Sequence, residues 1–74
     1  MKFMYREAIS DQLRQIEREV VKGERQLAEQ EACLYKLKRA GDDTTAAEAQ
    51  LENLRSDQRR RDQDRQRLLS QLQP

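Results

Sequence analysis

Apolar residues recur at steps of three and four along most of the chain, and one short break divides the pattern into two segments. This spacing places side chains on one face of a helix and matches the a and d positions of a heptad. The first segment contains no proline. We therefore predict one long amphipathic helix over about residues 4–40. Its apolar line consists of Ile9, Leu13, Ile16, Val20, Leu27, Leu34 and Leu37.

Gly23 falls on this apolar line, at a position where a heptad would carry a large side chain. A glycine in a helix interior costs about 1 kcal/mol relative to alanine, so a kink could form there. We favour a continuous helix, because the apolar spacing continues unchanged on both sides of Gly23.

The break between the segments covers residues 41–44 and reads Gly-Asp-Asp-Thr. Glycine suits the residue after a helix because it adopts left-handed backbone angles without a Cβ clash. A second helix then begins near Thr45. Thr45 and Glu48 have the spacing of a capping box, in which a hydroxyl and a carboxylate each bind a free backbone N–H.

The second helix is predicted over about residues 45–72, and its apolar line is polar in the middle. Gln58, Arg61 and Arg65 occupy positions that would otherwise complete the line. The apolar members lie on both sides of this stretch: Ala47, Leu51, Leu54, Leu68 and Leu72.

A connection of about four residues makes two helices antiparallel. The fold class we predict is therefore all-α: a single domain over residues 1–74, built as a two-helix antiparallel coiled-coil hairpin. Aligning the heptads pairs residues whose numbers sum to about 85, so that Leu27 faces Gln58 and Gly23 faces Arg61. The stem of Arg61 would then lie over the helix where Gly23 has no side chain.

The chemistry available to the chain is narrow. It has one cysteine, Cys33, and no histidine, so we expect no internal disulfide, no metal site, no cofactor and no enzymatic activity. No secretory signal is evident, and the longest apolar run, residues 32–35, is far shorter than the roughly 20 residues that cross a bilayer. We predict a cytoplasmic protein that is not bound to membranes.

Residues 58–67 read QRRRDQDRQR, with five arginines in ten residues. Aspartates are interleaved among them, and the pairs Asp57–Arg61, Arg60–Asp64 and Asp62–Arg65 have the spacing of stabilising ion pairs. The net charge of the chain is only +1. This favours a solvated, self-paired helix over a polar interface with another subunit, and over a nucleic-acid contact through Arg59, Arg60 and Arg67.

The predicted pairing leaves residues 1 to about 10 beyond the end of the second helix. Exposed apolar residues clustered at one end are typical of a docking or dimerisation site, whereas the simpler alternative is a frayed tail. A second, weaker apolar line repeats every seven residues on the face away from the seam. The candidate interface residues are Phe3, Met4, Tyr5 and Ile9 with Leu69 at the end, and Val21 and Tyr35 on the second line.

Several short motifs resemble a group of small uncharacterised bacterial helical-hairpin proteins. Their pattern is G-E-R, then G-x-D-T between two amphipathic helices, then R-L-L; here it is matched by residues 23–25, 41–44 and 67–69. The similarity covers about residues 20–72. It implies a helical hairpin of unknown role.

Together these patterns predict a non-enzymatic structural or adaptor protein that associates with other proteins through helical surfaces. A single hairpin of this length has a thin core, so we expect a homodimer that forms a four-helix bundle, with an unidentified protein as a further possible partner. The alternative function is a small nucleic-acid-binding regulator that uses the arginine-rich second helix.

Overall fold

A computed structural model describes residues 2–73 of the chain, and side chains from residue 5 onward. It contains two helices, α1 over Lys2–Ala40 and α2 over Thr45–Leu72, packed against each other as a hairpin. No strand occurs among the described residues. The all-α hairpin predicted from the heptad pattern is confirmed, and α1 continues through Gly23. The molecule is a rod of 59 × 15 × 14 Å.

The end of α1 is closed by two backbone hydrogen bonds that need a left-handed residue. Gly41 has φ +74° and its N–H donates to the carbonyl of Lys38 at 3.2 Å. The N–H of Asp42 donates to the carbonyl of Leu37 at 3.0 Å. This pair of bonds is the Schellman arrangement, and it gives partners to carbonyls that a helix end leaves free.

The start of α2 differs from the predicted capping box, which was wrong. Thr45 already lies in the helix, and its backbone N–H and hydroxyl both donate to Asp43 Oδ1, at 3.0 and 2.7 Å. These two hydrogen bonds, the backbone one first, hold the pKa of the Asp43 carboxyl below its ordinary value of 3.8. The Glu48 carboxylate lies instead 3.9 Å from Lys38 Nζ, across the turn.

The core between the helices is thin. From residue 5 to residue 73, the buried apolar residues are Ile9, Leu51 and Leu68, with 6%, 4% and 6% of their surface exposed. The other leucines of the two lines are half-buried, because a two-helix seam is open to solvent along both sides. No side chain of the described residues falls below 2% exposure.

The helices pair in a different register from the predicted one. Gln58 provides the closest side chain over Gly23, with the predicted Arg61 next to it, since Arg61 Nη1 would lie 2.7 Å from a Cβ at position 23. The Gln58 amide donates to the carbonyl of Val20 at 2.8 Å. The predicted sum of 85 was therefore wrong by about one helical turn at this layer, since Gly23 and Gln58 sum to 81. Gly23 leaves the space through which the Gln58 side chain reaches the α1 backbone.

The same shift brings the end of α2 closer to the start of α1. Arg6 Nη2 donates to the carbonyl of Leu72 at 3.1 Å. The predicted overhang of about ten residues is thus much shorter.

Candidate interaction surface

The polar middle of the seam is a closed hydrogen-bond group. Gln58 is 8% exposed, and while its amide donates to Val20, its Oε1 accepts a hydrogen bond from Arg61 Nη1 at 3.2 Å. Among the described residues, no buried side-chain nitrogen or oxygen lacks a partner. A satisfied polar group of this kind belongs to the structure of the seam and leaves no atom free to bind a ligand.

The arginine-rich stretch of α2 is largely paired with carboxylates, although through other partners than predicted. The predicted pairs Asp57–Arg61, Arg60–Asp64 and Asp62–Arg65 do not form. The observed distances are 3.2 Å from Arg59 to Glu52, 3.8 Å from Arg60 to Asp57, 3.4 Å from Arg67 to Asp64, and 3.8 Å from Arg55 to Glu31 of α1. The three candidate phosphate-binding arginines, Arg59, Arg60 and Arg67, therefore each have an acidic neighbour.

The candidate contact at the N-terminal end is smaller than predicted. Ile9 is buried against α2, so its assignment as an exposed contact residue was wrong. Tyr5 is 56% exposed, and its hydroxyl donates to Gln71 Oε1 at 3.4 Å. Leu69 is half-buried. The side chains of Phe3 and Met4 lie outside the described residues.

The second apolar line is on the surface of α1. Val21 is 66% exposed and Tyr35 is 62% exposed, which makes them the two most exposed large apolar side chains of the described chain. Ala28 and Ala32 lie between them and are also exposed. The guanidinium of Arg39 lies over the Tyr35 ring, 5.8 Å from its centre. We call these four residues, Val21, Ala28, Ala32 and Tyr35, the α1 stripe.

The structure does not bring all the candidate residues together. At 3.6 residues per turn, Tyr5 and Val21 point in directions about 160° apart around α1. Val21 and Tyr35, four turns apart, differ by only about 40°. Tyr5 and the α1 stripe are therefore two separate surfaces, and the stripe is the one that extends along the rod.

Charged residues of opposite sign border the α1 stripe, and the predictions from sequence missed this arrangement. On the side towards α2 lie Glu17, Glu24 and Glu31, and on the other side lie Arg18, Arg25 and Arg39. The acidic set keeps the seven-residue spacing of the stripe, and the basic set keeps it from Arg18 to Arg25; Ala32 of the stripe occupies the next position, before Arg39. The signal was present in the sequence, but it appears only when the helix is indexed from Val21 instead of from the seam.

Features of other kinds of site are lacking in the described part of the chain. Residues 2–73 contain no group of three or more Cys, Asp or Glu side chains able to hold a metal ion, and Cys33 is exposed with a free thiol. Neither described helix is long and apolar enough to span a bilayer.

The fold and the surface define a two-helix hairpin with an exposed apolar line on its longer helix. No protein-family model, curated protein or solved structure matches the chain. The resemblance to bacterial helical hairpins through G-E-R, G-x-D-T and R-L-L stays a prediction.

Proposed function

We propose that this protein is a non-enzymatic structural or adaptor protein that associates with a second copy of itself through the α1 stripe. The observation that carries the proposal is the alignment of Val21 and Tyr35, each more than 60% exposed, on one face of α1 away from the seam. Large apolar side chains aligned on an otherwise charged helix are typical of a contact between helices.

The surface area of the hairpin supports association. A compact monomer of 8.8 kDa exposes about 4,800 Å², whereas this chain exposes 5987 Å². The excess of roughly 1,200 Å² exceeds the about 800 Å² that each partner loses in a standard protein interface. Association through the long side of the rod would bring the exposed area of each chain close to that of a compact protein.

The alternative of a nucleic-acid regulator is less well supported. Arg59, Arg60 and Arg67 lie within 3.8 Å of carboxylates on their own helix, so a phosphate would have to compete with those partners. Proteins that bind single strands also use aromatic side chains as stacking platforms, and α2 contains none. We therefore propose protein association in preference to nucleic-acid binding.

The proposal is tested by the solution mass of the wild type and of Val21→Gln/Tyr35→Gln, measured by sedimentation equilibrium. Glutamine keeps a good helix propensity while removing the apolar surface. The wild type should have twice the chain mass of 8.8 kDa, and the double variant should sediment as the single chain with unchanged helicity.

Tyr5→Gln is the matched control, because it removes an exposed ring of similar size at the end of the rod. It should remain a dimer. If Tyr5→Gln is monomeric and the stripe variant is dimeric, the contact lies at the N-terminal end and our assignment is wrong. A monomeric wild type would contradict self-association altogether.

A further inference from the structure

The charges that border the α1 stripe contain information about the direction of the partner helix. We infer that two copies of α1 pair parallel and in register along this stripe. The inference rests on the proposed function, and specifies which face, direction and register the association uses.

The border residues lie symmetrically about the stripe. With 3.6 residues per turn, Glu17 and Glu24 point about 50° to one side of it, and Arg18 and Arg25 point about 50° to the other. All four side chains are exposed, and within residues 2–73 none makes an ion pair. Arg18 donates a hydrogen bond to Gln15 Oε1 at 2.7 Å, but this neutral partner leaves its charge unpaired. The four charges are therefore available to a partner.

Charge complementarity selects one of the two possible directions. In a parallel pair, the residues on one side of the contact line meet the residues on the opposite side of the partner, as the e and g positions of a parallel coiled coil do. Glu17 would meet Arg18 of the second copy, and Glu24 would meet its Arg25, each almost level. In an antiparallel pair, each border of the stripe would meet the same border of the second copy. Glutamates would then oppose glutamates, and arginines would oppose arginines.

The neighbours of the acidic border do not change this conclusion. Glu17 and Glu24 share a shallow groove with Asp62 and Arg65 of α2, whose charges are opposite and nearly cancel. Glu31 already lies 3.8 Å from Arg55. Lys38 continues the acidic line with the opposite sign and would meet Arg39 of the second copy, but Lys38 lies 3.9 Å from Glu48 and Arg39 lies over the Tyr35 ring. The self-complementary segment is thus centred on residues 17–25.

This pairing also determines how the hairpins would be arranged. The stripe lies roughly 130° around α1 from the seam with α2. The two α1 helices would therefore form the centre of an open row of four helices, with one α2 on each outer side. This arrangement differs from the four-helix bundle expected from the sequence.

Charge reversal tests the inference. Glu17→Lys/Glu24→Lys and Arg18→Glu/Arg25→Glu should each weaken self-association by about tenfold or more at low salt, because attractions become repulsions at symmetric sites. An equimolar mixture of the two variants should form a heterodimer with an affinity close to that of the wild-type dimer. Glu52→Lys/Asp64→Lys changes the net charge by the same amount on α2, away from the α1 stripe. It is the control and should associate like the wild type, because it removes only exposed ion pairs to Arg59 and Arg67, which contribute little.

The outcomes separate this inference from the proposed function. If the wild type and the Glu17→Lys/Glu24→Lys variant each form homodimers of equal affinity, the parallel pairing is overturned and self-association is left intact. A wild type that stays monomeric would overturn both.

A second measurement does not depend on charge. Val21→Cys in a Cys33→Ser background should form a disulfide between two copies under mild oxidation, because parallel register brings the two positions 21 within the short Cα distance that a disulfide needs. Gln66→Cys in the same background, at an exposed position of α2, should not. Absence of the Val21→Cys cross-link in a dimeric sample would contradict the parallel register.

Discussion

At the scale of single residues, the seam is organised by the absence of a side chain. A Cβ at position 23 would contact Gln58 Oε1 directly and would lie 2.7 Å from Arg61 Nη1. Gly23 is therefore kept open for the buried amide, which reaches the Val20 carbonyl. The apparent weakness of a glycine within a long helix is compensated by hydrogen bonds that only glycine allows.

We predict that Gly23→Ala and Gln58→Ala are strongly coupled. In the Gln58→Ala background, Gly23→Ala should stabilise the fold by about 1 kcal/mol, the helix-propensity difference. In the wild type this gain should be cancelled or reversed, because the new methyl group displaces Gln58 from hydrogen bonds worth about 1 kcal/mol each. Urea unfolding of the four proteins, followed by circular dichroism, measures the coupling; equal stabilisation in both backgrounds would contradict it.

The role of Gly23 shows how much the sequence predicts at this scale. That position 23 needs space for a side chain from α2 follows from its place on the apolar line. The sequence does not show which side chain fills that space. Gln58 and Arg61 lie one turn apart on the same face of α2, and a register change of one turn exchanges them. The hydrogen bond to the Val20 carbonyl decides between them, and backbone acceptors have no signature in the sequence.

At the scale of elements, the two helices are separated by a turn in which each residue has a structural role. Gly41 closes α1, and Asp43 binds the first N–H of α2. The bounds of both helices were predicted within two residues, because breaks in heptad spacing and a glycine mark them. The capping residue was not predicted correctly, because aspartate and threonine are both common capping residues and the sequence does not show whether Asp43 or Thr45 caps α2.

The turn also predicts a dependence on pH. The pKa of Asp43 is lowered by its two hydrogen bonds from Thr45. Its contribution to stability is fully present above the ordinary value of 3.8 and is lost as the pH falls through the lowered pKa. Thr45→Val removes the hydroxyl donor but keeps the backbone one.

The pKa of Asp43 should therefore rise part of the way towards its ordinary value in Thr45→Val, and the variant should lose less stability than the wild type on acidification below that range. Carboxyl-carbon NMR titration of both proteins measures the shift. An Asp43 pKa that is the same in both proteins would show that the hydroxyl has no part in it.

At the scale of the whole molecule, the hairpin leaves more surface exposed than its mass requires. Among the side chains that the structure describes, three apolar ones are buried, while Val21 and Tyr35 remain on the surface. The thin core was predicted correctly from the length of a single hairpin, which offers few apolar seam residues. The predicted register was wrong by about one helical turn, so Ile9 had no partner in α2 and the main contact was placed at the N-terminal end. In the structure Ile9 is buried against α2, and the α1 stripe is the longer exposed surface.

The central claim is that two copies associate through the α1 stripe, and that the bordering charges determine the direction of the pairing more than its affinity. The most direct test is the dimerisation constant of the wild type by sedimentation equilibrium in about 0.1 M and about 1 M salt, where the screening length falls from roughly 10 to 3 Å. We predict a dimer at both concentrations with at most a small change in affinity, because salt does not weaken the burial of apolar surface. A chain that is monomeric at both, or a dimer that dissociates in high salt, would contradict the claim.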